Sequence, residues 1–332
     1  MTTRSASHAG SWYKANRTAL SSELEGYLAA VPAAFDEQQL PIPKARVIIA
    51  PHAGYDYCAD NAAWAYKSLD LSNAKRIFLL GPSHTIYLSG CAITSHAKYA
   101  TPLGDLVVDR ATVEELKATG KFDSIPRDVD EAEHSLEMHC PYIYTMLSRH
   151  FDSPADYPKL VPVMVGNTAP AAEKEYGKLF SSYLADPTSV FVISSDFCHW
   201  GGRFRYTYYI PNNPSPEVVS QGGGHNLPKS RNAATPTDPP IHESIEKLDR
   251  MSMDAIEAGT HDSFLDNMDK TDNTVCGRHP IGVVLAAIDV LREAGTIPSD
   301  HGYFKFTRYS RSSDPVDVSD SSVSYASAYA TI

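Results

Sequence analysis

The chain has 332 residues, with 29 basic and 40 acidic side chains, which give a formal net charge of −11. This balance argues against nucleic-acid binding through a basic surface. The longest apolar runs, such as 47–50 and 190–193, are too short to span a bilayer. The first residues lack the apolar segment of a secretory signal. We therefore expect a cytoplasmic protein, with the nucleus as an additional location, whose five cysteines are free thiols.

Helical and strand-like patterns alternate along the chain. Apolar residues at helical spacing predict an amphipathic helix over 20–31, and the β-branched run 46–50 predicts a buried strand that stops at Pro51. Further strands are predicted at 76–80, 160–165, 190–193, 304–306 and 323–329, and further helices at 113–120, 176–184 and 281–291. This alternation predicts one α/β domain over 1–332, built in layers around a central sheet.

Residues 211–240 break this pattern because they are rich in Pro, Gly, Asn, Ser and Thr. Such a composition offers little apolar surface to offset the cost of ordering the chain. A linker between two domains is the alternative. We expect a mobile surface loop inserted into the single domain, because candidate site residues occur on both sides of it.

Three histidines follow the ends of predicted strands. They are His52 after 46–50, His84 after 76–80 and His199 after 190–193. In open α/β sheets, ligands bind in the crevice at the carboxyl ends of the strands, so these side chains are placed to converge. Imidazole binds metals and titrates near neutral pH. A lone histidine in such a place is more often structural, but three together favour a metal or acid–base site.

A fourth segment, 274–280, precedes the predicted helix 281–291. Cys276 in this segment is either a small buried side chain or a reactive thiolate at the start of that helix, and the pattern favours neither. Arg278 is either an anion-binding group or the partner of a buried carboxylate. His279 is explained equally well as a residue that starts the helix.

Two other segments carry suggestive side chains. Glu133, His134 and Glu137 share a helical face, but they lack the His-Glu-x-x-His order of zinc proteases, and a role in lining a pocket is favoured over a primary metal site. Trp12 lies beside small, turn-forming residues. Its pattern favours a core anchor over the wall of a ligand pocket.

Six motifs are spread over almost the whole chain. They are Ser-His-Ala-Gly-Ser-Trp-Tyr (7–13), Ala-Pro-His-Ala-Gly-Tyr (50–55), Gly-Pro-Ser-His (81–84), Glu-His-Ser-Leu-Glu-Met-His (133–139), Ser-Ser-Asp-Phe-Cys-His-Trp-Gly (194–201) and Cys-Gly-Arg-His-Pro-Ile-Gly (276–282). Together they resemble the Memo family, which is named for a mediator of ErbB2-driven cell motility. The chain departs from that family's pattern in the insert 211–240 and in a short extension near 34–44.

The resemblance implies a three-layer fold similar to the class III extradiol dioxygenases, with a central mixed sheet flanked by helices. Those enzymes hold Fe(II) with two histidines and a carboxylate. By this resemblance His52 and His84 are metal ligands and Cys276 stands in the place of the carboxylate. His199 matches the acid–base histidine, and Trp12 lines the pocket.

A thiolate is a softer ligand than a carboxylate, so the implied His2Cys set favours copper, with iron or zinc as alternatives, and argues against efficient ring cleavage. We therefore expect a copper-dependent redox protein in cell motility, cytoskeletal or growth signalling. His199, oriented by Asp196, would then move protons. The alternative is a non-catalytic pocket that binds a phosphotyrosine-type peptide of a signalling protein, or another anion, through Arg278. No nucleic acid or membrane insertion is expected in either case.

Overall fold

The computed structural model describes residues 2–214, 218, 222–228 and 235–332. The strands are β1 Thr3–Arg4, β2 Ala34–Phe35, β3 Gln38–Gln39, β4 Ala45–Ala50, β5 Arg76–Pro82, β6 Cys91–Ile93, β7 Lys98–Thr101, β8 Gly104–Val107, β9 Phe122–Ser124, β10 Lys159–Val165, β11 Ser189–Ser194, β12 His199–Gly201, β13 Tyr208–Tyr209, β14 His225–Asn226, β15 Phe304–Arg311 and β16 Ser321–Thr331. The helices are α1 Arg17–Ala30, α2 Tyr55–Ser68, α3 Arg110–Ala118, α4 Arg127–Ala132, α5 His134–Glu137, α6 Cys140–His150, α7 Pro170–Ala185, α8 Ile241–Glu257, α9 His261–Thr271 and α10 Arg278–Glu293. Two single 3-10 turns lie at Pro154–Asp156 and Gly202–Phe204.

The main sheet of the described chain has nine strands. Its path runs β12-β16-β4-β11-β5-β10-β6-β9, and β15 pairs with residues 324–330 of β16. The four central strands β4, β11, β5 and β10 are parallel, whereas β16 and β6 run antiparallel to their neighbours β4 and β10. The sheet is therefore mixed, as the predicted fold class requires.

The central strands are buried on both faces, which is why they read as continuous apolar runs in the sequence. All six residues of β4 and all six of β11 are buried. Helix α2 packs on β4 and β16, while α7 and α10 pack against each other and against β5 and β11. The predicted α/β architecture, with helices flanking a central mixed sheet, is confirmed.

The parallel arrangement places the carboxyl ends of β4, β5 and β11 at one edge of the sheet. In the pairing register, Ser194 at the end of β11 lies beside Ala50 at the end of β4, and Ile193 lies beside Leu80 of β5. The loops that carry the candidate histidines therefore begin at the same edge. None of the helices in the described ranges is long and apolar enough to cross a lipid bilayer.

The insert 211–240 contains ordered pieces. Strand β14 pairs with β13, and Leu227 is buried in a small second core with Trp200 and Ile245. Residues 215–217, 219–221 and 229–234 lie outside the described residues, so the predicted mobility of the insert stays a prediction. Cys58, Cys91, Cys140, Cys198 and Cys276 are all free.

Candidate functional site

The loops after β4 and β11 are tied together by a buried carboxylate. Pro51 ends β4, and the backbone N–H of the next residue, His52, donates to Oδ1 of Asp196 at 2.8 Å. Asp196 is 3% exposed, and burial raises the pKa of its carboxyl group. Asp196 therefore fixes the loop that presents His52.

Hydrogen bonds set the tautomer of His52. Its Nδ1 lies 2.6 Å from Oγ of Ser194, and that hydroxyl donates its own proton to the carbonyl of Ser135 at 2.7 Å. Ser194 must therefore accept from His52, so the proton lies on Nδ1 and Nε2 carries a free lone pair. Burial lowers the pKa of His52 well below its ordinary value, which keeps the ring neutral.

His84 is oriented in the same way by Glu133. Its Nδ1 lies 3.2 Å from Oε1 of Glu133, and its backbone N–H donates to Oε2 at 2.7 Å. Although burial alone would raise the pKa of Glu133, the hydrogen bonds that it accepts from the side chain and backbone of His84 lower it to about 2. Because an ionised carboxylate only accepts, Nδ1 of His84 is protonated and Nε2 is free. Carboxylate–imidazole pairs of this kind are typical of metal-binding histidines.

Cys276 meets His52 from the opposite side of the site. Its Sγ lies 3.2 Å from Nε2 of His52 and accepts the backbone N–H of Asp196 at 3.1 Å. Burial raises the pKa of this thiol well above its ordinary value. The residue that follows, Gly277, leaves no room for a side chain, because a Cβ there would lie 2.3 Å from that of Ser195.

His52, His84 and Cys276 form a group with metal-ligand geometry. One donor atom from each residue lies within 4.8 Å of the others. Two imidazoles with free Nε2 atoms and a sulfur are soft donors that suit copper or zinc better than a metal that prefers oxygen ligands. The donor set therefore fits a metal ion, and binding would displace the thiol proton.

His199 lies on the other side of the cavity. Its Nδ1 is 2.9 Å from the carbonyl of Phe197 and 3.2 Å from that of Thr274, so Nδ1 donates and Nε2 is again free. These two carbonyls orient the ring. No hydrogen bond joins His199 to Asp196 among the described residues, so the predicted orientation by Asp196 is replaced by orientation through the backbone.

These groups open into a cavity of about 590 Å³. Its lining includes His52, His84, Asp196, His199, Trp12, Tyr57, His134, Arg203, Phe204 and Tyr325. Trp12, which the local pattern assigned to the core, is 37% exposed and lies at the cavity wall. The expectation drawn from the family resemblance was the better one for this residue.

His134 also lies in the cavity wall, as the sequence favoured. Its ring stacks on that of His84 with centres 4.6 Å apart, and Trp12 covers it at 4.6 Å. Burial lowers the pKa of His134 to about 4. The remaining acid of the segment, Glu137, faces away from the cavity and accepts from Arg4 and His8.

Two predicted residues lie outside this cavity. The side chain of Arg278 is 4.0 Å from Asp272 and does not line the cavity, so its role in anion binding stays a prediction without geometric support. His279 donates to the buried carboxylate of Glu173 at 2.7 Å and anchors the start of α10.

The cavity instead contains an arginine that the sequence did not single out. Arg203 is exposed and its guanidinium lies 4.4 Å above the ring of Phe204, which in turn contacts His199 edge-on at 5.2 Å. Within the described chain, no acidic side chain forms an ion pair with Arg203. Its position two residues after the His-Trp-Gly motif was the available signal.

Comparison of the sequence with those of known proteins shows the family of the chain. The model of the Memo-like protein family matches residues 4–329. The chain is 46% identical to Protein MEMO1 of Homo sapiens over 329 residues, which covers 99% of this chain and 97% of the relative. It is 42% identical to the Protein memo-1 homolog of Caenorhabditis elegans over 327 residues, which covers 98% and 81% of the two chains. The chain belongs to the Memo family.

The Memo motifs of the sequence surround the cavity in the structure. Residues 50–55, 81–84, 194–201 and 276–282 supply the candidate metal ligands and the candidate acid–base histidine, and 7–13 supplies Trp12. The family-like segments therefore meet at the carboxyl edge of the sheet, although they are far apart in the chain.

Proposed function

We propose that this Memo-family protein binds a metal ion, with copper as the preferred ion, and uses it in redox chemistry. The observation that carries the proposal is that one ring nitrogen of His52, one ring nitrogen of His84 and Sγ of Cys276 lie within 4.8 Å of one another. A copper ion held there would supply one-electron exchange with dioxygen.

The protein residues would then handle protons and access. His199 lines the cavity with Nδ1 held by a backbone carbonyl, so this ring could accept or return a proton for a ligand bound there. Trp12 forms part of the wall and limits the entry of water. Asp196 keeps His52 in place, and its own carboxylate is too buried to exchange protons readily with solvent.

The test is metal analysis of protein purified without a His-tag, followed by assay of oxygen consumption in the presence of ascorbate. We expect one equivalent of Cu(I) in the wild type and loss of both binding and oxygen consumption in His52→Ala, His84→Ala and Cys276→Ser. His150→Ala and Cys91→Ser are matched controls, because His150 is exposed on α6 and Cys91 is buried in β6. Full metal retention in the three site variants would refute the proposal.

A second candidate is favoured by Arg203. An exposed guanidinium without an acidic partner at the mouth of the cavity suits a phosphate or carboxylate group, including that of a phosphotyrosine-type peptide of a signalling protein. Isothermal titration of metal-free protein with phosphotyrosine would test it. Binding that survives Cys276→Ser but is lost in Arg203→Gln would support a binding module, and unchanged binding in Arg203→Gln would contradict it.

The cellular role is proposed from the family alone. The Memo resemblance supports action in cell motility, cytoskeletal or growth signalling, from the cytoplasm or the nucleus. Fluorescent tagging of the protein in its own cells, with the Cys276→Ser variant as a comparison, measures both the location and any defect in motility. Ring cleavage is not proposed, and we expect no catechol turnover with Fe(II).

A further inference from the structure

His134 stands out among the cavity histidines because neither of its ring nitrogens forms a hydrogen bond with a described residue. Its nearest acidic atom is Oε1 of Glu133, 3.7 Å from Nδ1 and beyond hydrogen-bond range. The side chain is nonetheless only 21% exposed. By contrast, Nδ1 of His52, of His84 and of His199 forms a hydrogen bond, and Nε2 of His52 also lies 3.2 Å from Sγ of Cys276. An imidazole in a cavity wall whose nitrogens form no hydrogen bond with any described residue is available to a ligand.

The fold holds His134 in this place by close packing. The next residue, Ser135, donates from Oγ to the carbonyl of Pro82 at 2.7 Å and accepts the hydroxyl of Ser194 at its own carbonyl. A Cβ on Gly81 would lie 2.8 Å from Oγ of Ser135, so α5 packs directly on the end of β5. The backbone beside His134 is therefore fixed by the end of β5, which carries His84, and by Ser194 at the end of β11, which also binds Nδ1 of His52.

The distances between the three imidazoles match those around a single ion. The ring centres of His52 and His84 are 5.2 Å apart, those of His52 and His134 are 5.5 Å apart, and those of His84 and His134 are 4.6 Å apart. Two imidazoles bound to one tetrahedral ion have ring centres about 5 Å apart, given metal–nitrogen distances of about 2.0 Å. The three ring centres therefore have the spacing of ligands around one ion. By donor-atom distance His134 lies within 4.8 Å of His84 and Glu133, so its ring has to turn to share an ion with His52 and Cys276.

Glu133 is not available as a metal ligand in place of His134. Its carboxylate already accepts from the backbone N–H and Nδ1 of His84, from Thr85 and from the backbone N–H of Ser135. A carboxylate with these donors orients a ligand rather than serving as one. The free group beside the site is the imidazole of His134.

We propose that His134 is a fourth ligand of the metal ion held by His52, His84 and Cys276, an inference that rests on the proposed metal site. The ring now stacks on His84 at an interplanar angle of 15°, so coordination requires it to tilt toward the ion. With His134 bound, the site has four protein ligands and is closed to other ligands. With His134 detached, a position is open for substrate.

The test uses Co(II) as a spectroscopic probe in the wild type and in His134→Ala. The sulfur-to-cobalt absorption band reports Cys276, and the visible d–d bands report the complete ligand set. We expect His134→Ala to keep the sulfur band and to change the d–d bands. Its affinity for Co(II) should fall by at least about 10- to 100-fold, which is the loss expected when a residue that only orients a metal ligand is removed. Free imidazole should restore the wild-type bands in His134→Ala and leave the wild type unchanged.

His150→Ala is the control, because it removes an exposed imidazole on α6 that does not line this cavity and should leave both bands as in the wild type. Wild-type bands and affinity in His134→Ala would overturn the inference. Weakened binding that imidazole does not restore would also overturn it, since the residue would then act only by packing. A wild type without a sulfur band would refute the metal site itself, whereas loss of that band in Cys276→Ser verifies it.

Discussion

At Gly277 there is no room for a side chain, and this constraint fixes the geometry of the site. A Cβ at this position would lie 2.3 Å from Cβ of Ser195 and 2.5 Å from the carbonyl oxygen of Ser194. Since both neighbours belong to the end of β11, Gly277→Ala must push Cys276 away from His52. We expect the free energy of unfolding to fall by about 1–3 kcal/mol and metal binding to weaken.

Urea unfolding of Gly277→Ala at neutral pH measures this loss. Gly26→Ala is the control, because Gly26 lies in α1 with no atom within 4 Å of an added Cβ. That variant should be more stable than the wild type by up to about 1 kcal/mol. If Gly277→Ala and the wild type have the same free energy of unfolding, the end of β11 can shift to make room for the added Cβ, which would contradict the prediction.

Glu137 links the N-terminal segment to α5 and makes stability depend on pH. Its carboxylate accepts from Arg4 at 2.6 Å, from the backbone N–H of His8 at 2.8 Å and from the hydroxyl of Tyr13 at 2.8 Å. Burial alone would raise the pKa of Glu137, but the hydrogen bonds from His8 and the charge of Arg4 lower it to about 2 from an ordinary 4.5.

Because the folded-state pKa is the lower one, this stabilisation is present above about pH 4.5 and is lost as the pH falls toward 2. The shift corresponds to at most about 3 kcal/mol. We expect Glu137→Gln to lower the free energy of unfolding at pH 7 and to flatten its decline between pH 4.5 and 2. Denaturant titrations across this range test both effects, and parallel pH curves for the two proteins would contradict the assignment.

At the scale of elements, the sequence predicted best what is most buried. The predicted strands 46–50, 76–80 and 190–193 appear as Ala45–Ala50, Arg76–Pro82 and Ser189–Ser194, because a strand covered on both faces must be apolar throughout. The helix predicted over 281–291 extends to Arg278–Glu293. Helices α8 and α9 were not predicted, although Ile241, Ile245 and Leu248 on α8 recur at helical spacing.

The sequence likewise predicted only part of the candidate site. Strand ends and motifs together identified His52, His84 and Cys276, which the structure brings together. They pointed to Arg278 and did not single out Arg203, because the direction of each side chain depends on turns at Gly201 and Gly277 that leave no periodic pattern. Which arginine faces the cavity was therefore decided by tertiary structure.

Helix α8 supports the loop of His199 through Asp249. This buried carboxylate accepts the backbone N–H of Cys198 at 3.0 Å, Nδ2 of Asn273 at 3.2 Å and the hydroxyl of Tyr309 at 2.8 Å. Asp249→Ala leaves these donors without their acceptor, so we expect a loss of about 1–3 kcal/mol in the free energy of unfolding.

The control for Asp249→Ala lies on the same helix. Asp254 is exposed, and Asp254→Ala should change the free energy of unfolding by no more than about 0.5 kcal/mol. If the two substitutions lower the free energy of unfolding equally in urea titrations, the hydrogen bonds of the buried carboxylate do not stabilise the fold.

At the scale of the whole molecule, the site joins distant parts of the chain. His52 and His84 come from the first third, Cys276 from the last third, and the sheet beneath them pairs β4 with β16 near the C-terminus. A metal ion at the site therefore links segments that separate on unfolding. The net charge of −11 further favours the approach of a cation.

Metal binding should therefore raise the stability of the entire fold. At a free metal concentration of 100 times Kd, the expected gain is about 2.7 kcal/mol, a rise in Tm of several degrees for a chain of this size. Differential scanning calorimetry with and without Cu(I) measures this gain in the wild type, in Cys276→Ser and in Cys91→Ser. The gain should vanish in Cys276→Ser and persist in Cys91→Ser, whose buried thiol lies in β6 away from the site. An equal gain in both variants would place the bound metal elsewhere in the molecule, because only one of the two thiols lies beside His52.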